Sequence, residues 1–200
     1  MGLVESLLAS GVFVEIGAYP GIVPELRYAT ANNFTGAVVR GAFERALLHK
    51  DAAAKLRRAA EALLELNPGH RLRIYDALRP RSVQWLLWNH VRGTPQEPYV
   101  AEPGRGSIHN YGMAVDLSVV DAHGRELDMG SWFDDFSEQA EPRHEDELVR
   151  AGKLGRGQLG NRLLLRRVME SAGFIQMPNE WWHYDAAARA QVEAGYRIVE

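Results

Sequence analysis

The stretch from His109 to Asp116 and the tetrapeptide Glu180-Trp181-Trp182-His183 hold the side chains best suited to chemistry in this chain. Asp116 stands between Ala114 and Ser118 on one face of an alternating segment. The other face, Met113, Val115, Leu117 and Val119, is apolar. Small neighbours leave room above the carboxylate, whereas a structural aspartate more usually caps a turn or pairs with a base. His109 precedes a turn at Gly112, which can fold the ring back over the same face. Taken alone, the pair also fits a loop histidine and an edge-strand carboxylate, because short motifs recur by chance. Glu180 and His183 offer one base and one ligand, and the tryptophans between them can exclude water. Residues three apart in a regular strand point to opposite faces. The tetrapeptide is therefore one helical turn or a bulge, or else a core aromatic pair with two polar neighbours.

Together the clusters supply two imidazoles, one ligand carboxylate and one spare carboxylate. A catalytic zinc takes three protein ligands and keeps a fourth position for water, whose pKa falls to about 7. The expected site is one zinc per chain held by His109, Asp116 and His183, with Glu180 as general base. Arg79 ends a strand-like segment, and Pro80 biases it to an extended backbone that can aim the guanidinium into a cleft. There it would stabilise an oxyanion; otherwise it is a surface arginine at a helix start.

The composition narrows the field. The chain has 200 residues, 46% hydrophobic and 24% charged, with a formal net charge of -3. That length suits one domain with a real core. A mild negative charge argues against nucleic acid as a partner, since a phosphate-tracking surface needs clustered Lys and Arg. The pairs Arg57/Arg58 and Arg166/Arg167 fall in helical segments, where they read as solvated faces. With no cysteine, disulfides, thiolate metal sites and a thiol nucleophile are excluded, so any metal takes nitrogen and oxygen ligands. The start of the chain makes a poor secretory signal, and no apolar run approaches the roughly 20 residues that cross a bilayer. A cytoplasmic protein is expected. His49, His70, His90, His123 and His144 are read as structural or surface residues, the ligand set being complete without them.

The elements that must position these groups follow from periodicity. Asp51 to Leu66 reads as an amphipathic helix with Leu56, Ala60, Leu63 and Leu64 on one face. Leu72 and Ile74 alternate with Arg71 and Arg73 in a strand ending at Asp76. A second helix is expected from Ser82, as N-cap, to Gly93, with Val83, Leu86, Leu87 and His90 on its stripe. Residues 93 to 107 read as loop, and Met113 to Val119 as strand. A third helix covers Gln158 to Ala172, with Leu165, Val168, Met169 and Ala172 inward, and Phe174 to Met177 is a short strand. The order implies a single-domain α+β fold: a small, mainly antiparallel sheet packed by helices, with the zinc site in a cleft on the sheet.

Ser107-Ile108-His109-Asn110-Tyr111-Gly112-Met113-Ala114-Val115-Asp116 resembles the SxHxxGxAxD signature of the D-alanyl-D-alanine dipeptidases of the VanX type. Glu180 to His183 resembles their ExWH element. Tyr28 to Gly36 is similar to their YATxxNFTG segment, Asp76 to Pro80 to their arginine-bearing turn, and Met129 to Asp134 to their MGxxFD segment. Asn161 to Phe174 resembles their penultimate helix. The likeness spans about residues 26 to 184 in the right order. It implies a zinc hydrolase that splits D-Ala-D-Ala into two D-alanines, with His109, Asp116 and His183 on the metal, Glu180 as base and Arg79 on the tetrahedral intermediate. It also implies that Tyr28, Ser107 and Asp134 bind the dipeptide and its ends. The chain departs from the family after His183, and the charged, glycine-bearing stretch from Glu138 to Gly157 is a candidate lid. A related zinc D,D-carboxypeptidase or endopeptidase acting on peptidoglycan stem peptides is the alternative. A binding protein that has lost the chemistry is disfavoured by the complete residue set. Oligomeric state is not legible.

Overall fold

The computed structural model describes residues 2–40 and 43–200. Its elements in chain order are α1 (Leu3–Ala9), β1 (Phe13–Glu15), β2 (Ile22–Pro24), β3 (Leu47–His49), α2 (Lys50–Leu66), β4 (Arg71–Asp76), α3 (Arg81–Val91), β5 (Ala114–Val120), α4 (Glu145–Arg150), α5 (Arg156–Ser171), β6 (Ile175–Gln176), β7 (His183–Asp185) and α6 (Arg189–Gly195). The main sheet runs β2-β4-β5-β7-β6. β2 lies parallel to β4, and every other pairing in that sheet is antiparallel. β1 and β3 form a separate antiparallel ribbon. The fold is the single-domain α+β arrangement that the alternation of elements implies.

β5 sits at the centre, between β4 and β7, and is buried along its whole length. α2 closes one side through Ala52, Ala53, Leu56, Ala59, Ala60 and Leu63. α5 adds Leu165, Val168 and Met169 to the same core, as the heptad-like spacing predicts. Burying each such Leu, Val or Met contributes roughly 1.5–3 kcal/mol relative to exposure.

α3 departs from expectation. It begins one residue before Ser82, whose side chain makes no capping bond; Pro80 occupies the N-cap position. Its inward stripe is Val83, Leu87 and Val91, while Leu86 is 52% exposed and His90 lies outside. The helix is rotated so that Gln84 points inward, where it accepts a hydrogen bond from Arg79 Nη1 at 2.9 Å and donates to the Ala101 carbonyl at 2.7 Å. A polar anchor therefore takes a position that hydrophobic periodicity assigns to an apolar residue.

The candidate lid is packed structure. It folds into short 3-10 helices at Glu138–Ala140 and Pro142–His144, followed by α4. Glu145 pairs with Arg166 at 2.7 Å and with Arg162 at 3.5 Å, which ties α4 to α5. The Ala140 carbonyl accepts from Trp181 N at 3.0 Å, so this stretch buttresses the turn that carries Glu180. No helix among the described residues is long and apolar enough to cross a membrane.

Candidate active site

Strand pairing brings the distant candidate ligands together. Asp116 on β5 lies directly opposite His183 on β7, and directly paired residues project to the same side of a sheet. His109 arrives from a short 3-10 helix, Ile108–Tyr111. Ser107 Oγ accepts from His109 N at 3.3 Å, and Asn110 Oδ1 accepts from Ser107 N at 2.7 Å, a reciprocal cap that sets where the helix begins. Gly112 ends it at φ 66°, where an added Cβ would meet His49 N and the Phe13 ring at 2.9 Å. Only glycine suits both the backbone and the space.

The result is a compact triangle. His109 Nε2 and His183 Nδ1 stand 3.2 and 2.9 Å from Asp116 Oδ1, and 3.2 Å from each other. The outer ring nitrogens are engaged elsewhere: His109 Nδ1 donates to the Ala77 carbonyl at 2.8 Å, and His183 Nε2 donates to Asp185 Oδ1 at 2.9 Å. These outer bonds turn the remaining nitrogen of each ring towards the carboxylate. Burial opposes charge on His183, but Asp185 and Asp116 outweigh it and raise its pKa well above the ordinary value. Asp116 is held below the usual carboxylate range, against burial, chiefly by the His109 ring. The cluster attracts positive charge at its centre, and the three residues are placed to hold a metal ion.

Glu180 reaches this centre through a turn. His183 N donates to the Glu180 carbonyl at 3.4 Å, which closes the tetrapeptide just before β7 begins. The reversal brings Glu180 Oε2 to 3.8 Å from His183 Nδ1, a placement that a continuous strand forbids. Trp181 and Trp182 are buried beneath it, and Trp181 Nε1 donates to Ser131 Oγ at 3.0 Å. Burial pushes the Glu180 carboxyl up to about 7, with the His183 ring pulling it down and Asp116 pushing it up.

Arg79 is buried and held on two sides, Nε to Asp76 Oδ2 at 2.7 Å and Nη1 to Gln84 Oε1 at 2.9 Å. Its Nη2 lies 3.7 Å from Asp116 Oδ2, and the guanidinium sits 5.1 Å over the Tyr28 ring. Asp76 also pairs with the buried Arg40. The Tyr28 hydroxyl donates to Asp134 Oδ1 at 2.9 Å, and Phe34 N donates to Oδ2 at 3.4 Å. Burial raises the Asp134 carboxyl well above its usual range. A cavity of about 270 Å³ is bordered by Tyr28, Arg79, Ser107, His109, Asp116, Asp134, Glu180 and His183 alike. All the residues singled out in the sequence thus meet at one place.

Sequence reasoning missed Asp185, Asp76 and Gln84. The signal for Asp185 was present: it follows His183 by two residues on a strand, so both share a face. Asp76 and Gln84 lie close to Arg79 in the chain, but what fixes them there, Arg40 and the Ala101 carbonyl, is distant, so local spacing does not mark them as its anchors. His144 stays out of the cluster and faces Glu141 and Glu147 at 3.2 and 3.3 Å.

Comparison with known proteins adds a family to this geometry. The sequence model described as D-ala-D-ala dipeptidase matches residues 12–198. The chain belongs to this family. A D-alanyl-D-alanine dipeptidase of Escherichia coli (strain K12) is 39% identical over 168 residues, covering 84% of this chain and 80% of that protein. One from Enterococcus faecalis (strain ATCC 700802 / V583) is 32% identical over 181 residues, covering 82% and 85%. One from Synechocystis sp. (strain ATCC 27184 / PCC 6803 / Kazusa) is 28% identical over 160 residues, covering 65% of each. Membership of the D-ala-D-ala dipeptidase family places the chain among peptidases, and the match extends past both ends of the likeness read from the motifs.

Proposed function

We propose that this chain, residues 1–200 as one zinc D,D-dipeptidase domain, hydrolyses D-alanyl-D-alanine to two D-alanines. The convergence of His109, Asp116 and His183, with Glu180 beside them in one small cavity, carries the proposal. The family match and the names of its relatives point the same way. Zinc suits these residues. Three ligands on a tetrahedral ion with bonds of about 2.0–2.2 Å stand roughly 3.3–3.6 Å apart, a small side-chain shift from the 2.9–3.2 Å found between the three inward atoms. The donor set is nitrogen and oxygen alone, and both imidazoles have their outer nitrogens fixed. When bound, zinc supplies Lewis-acid polarisation of the carbonyl and acidification of the attacking water.

The protein's own residues do the rest. Glu180 accepts the proton of the attacking water and returns it to the leaving amine, a role suited to a carboxyl poised near neutral pH. Arg79, held by Asp76 and Gln84, offers its remaining donors to the oxygen that becomes negative in the tetrahedral intermediate. Asp134, paired with Tyr28, receives the α-ammonium, whose positive charge offsets the cost of burying the carboxylate. Ser107, which borders the same cavity, helps bind the dipeptide. The cavity, about 270 Å³, is of a size to accommodate a dipeptide.

The decisive assay compares D-Ala-D-Ala, L-Ala-L-Ala and a D-Ala-D-Ala-terminated stem peptide. Rapid hydrolysis of the first alone is expected; cleavage of the stem peptide with D-Ala-D-Ala untouched would move the assignment to a carboxypeptidase or endopeptidase. Asp185 gives a second test. Its carboxylate orients His183, so Asp185→Ala is expected to weaken zinc binding about 10–100-fold, measured by competition with a chromogenic chelator. Unchanged zinc affinity would remove Asp185 from the metal's supporting shell.

A further inference from the structure

Groups of both signs line the cavity. Asp134 is held by Tyr28 and Phe34 N. The loop leading into Ser107 and the start of α6 present two arginines, Arg105 and Arg189, to the same cavity. Arg189 donates to the Gly106 carbonyl at 3.2 and 3.3 Å and to Glu193 at 2.9 Å. That pins α6 to the residue between Arg105 and Ser107. Gly106 has φ 81°, and a Cβ there would meet Ile198 at 2.8 Å, so the loop is packed tightly at this point. Arg105, by contrast, is exposed and has no ion pair or side-chain hydrogen bond among the described residues. Arg79, the remaining arginine of the cavity, is already engaged by Asp76 and Gln84.

A dipeptide is a zwitterion whose two charges flank the scissile amide. Resting on the dipeptidase reading, we infer that Arg105 and Arg189 recognise the free α-carboxylate of the residue after the scissile bond. They thereby make a free C-terminus at that position a condition of cleavage. Asp134 then reads the ammonium and the two arginines read the carboxylate. A substrate whose carboxylate is amidated or extended leaves the arginines without their anion and forfeits a charge-assisted hydrogen bond. Selectivity for dipeptides thus comes from charge at both ends as well as from volume.

The test measures kcat and KM of the zinc-loaded enzyme on D-Ala-D-Ala and on D-Ala-D-alaninamide, for wild type, Arg105→Gln, Arg189→Lys and the variant combining Arg105→Gln with Arg189→Gln. Zinc content and Tm serve as folding controls. Wild type is expected to prefer the free acid by about 100-fold or more in kcat/KM. Arg105→Gln is expected to raise KM for the acid about tenfold, the loss of one charged hydrogen bond, with kcat and the amide kinetics little changed. The combined variant should bring the two substrates close to parity. An Arg105→Gln enzyme that keeps the full preference for the acid overturns the inference, as does a wild type that cleaves both equally. Failure of wild type on D-Ala-D-Ala itself overturns the dipeptidase reading, and the inference with it; retained activity with unchanged preference overturns the inference alone.

Discussion

Glu180→Ala is expected to bind one equivalent of zinc and to turn over D-Ala-D-Ala about 100- to 10,000-fold more slowly, the range associated with a positioned general base. Glu180 is not one of the three inward ligands, and its Oε2 is 3.8 Å from His183 Nδ1, so its removal leaves the metal's donors in place. Glu180→Gln separates catalysis from packing, because it keeps the shape and loses the charge. The same substitution has a predicted effect on stability. The folded-state pKa of Glu180 is raised from 4.5 to about 7, with burial the largest cause. A carboxyl whose pKa is higher folded than unfolded binds its proton more tightly in the folded chain. The metal-free protein therefore loses stability as the pH rises from the unfolded value through about 7. Above that pH the buried charge costs on the order of 1–3 kcal/mol. Metal-free Glu180→Gln should accordingly melt higher than metal-free wild type at pH 8 and much the same at pH 4. An inactive variant that has also lost its zinc, or an active one that keeps it, would remove Glu180 from the role of base.

Chelation has the second large effect. Stripping the ion should abolish hydrolysis, and adding zinc should restore it. Stability should follow, because a ligand that binds only the folded state at a thousand times its Kd stabilises it by about 4 kcal/mol. For a chain of this length that corresponds to a fall in Tm of roughly 8–16 °C on removal. Without the ion, the inward atoms of His109, Asp116 and His183 remain buried at 2.9–3.2 Å from one another, and protonation of His183 is the available compensation. The metal-free protein is therefore expected to be folded and less stable. A protein that melts at the same temperature and hydrolyses at the same rate in excess chelator would overturn the metal site. Asp116→Asn should reproduce the chelated state and resist rescue by zinc, which calorimetry and metal analysis can read directly.

These two effects come from residues of different legibility. His109 and Asp116 are linked within one short segment, and the Gly112 turn between them is visible in the sequence. The return of His109 over the β5 face follows from that turn. Glu180 and His183 are adjacent as well, but their common direction contradicts the alternation of a strand. The structure resolves this with a closing turn supported by Ala140 of a remote segment. α2, β4, β5 and α5 follow their periodicities closely, since each presents one apolar face to a common core. α3 does not, because Gln84 is drawn inward by Arg79 and Ala101. The stretch from Glu138 to Gly157 is charged yet tied to the fold, since Arg162 and Arg166 hold Glu145.

The amino-acid sequence by itself determined the kinds of donor available, the absence of thiolates, the helices and strands with a clear period, and the two short segments that carry the candidate ligands and base. These depend on residues within a few positions of one another, where backbone geometry alone sets direction. Only the tertiary structure decided that Asp116 faces His183, that Ala77 orients the His109 ring, and that Arg40 and Ala101 fix the Asp76 and Gln84 side chains holding Arg79. Strand register and the pairing of buried charges are settled by the packing of the whole core, among residues that local spacing cannot relate.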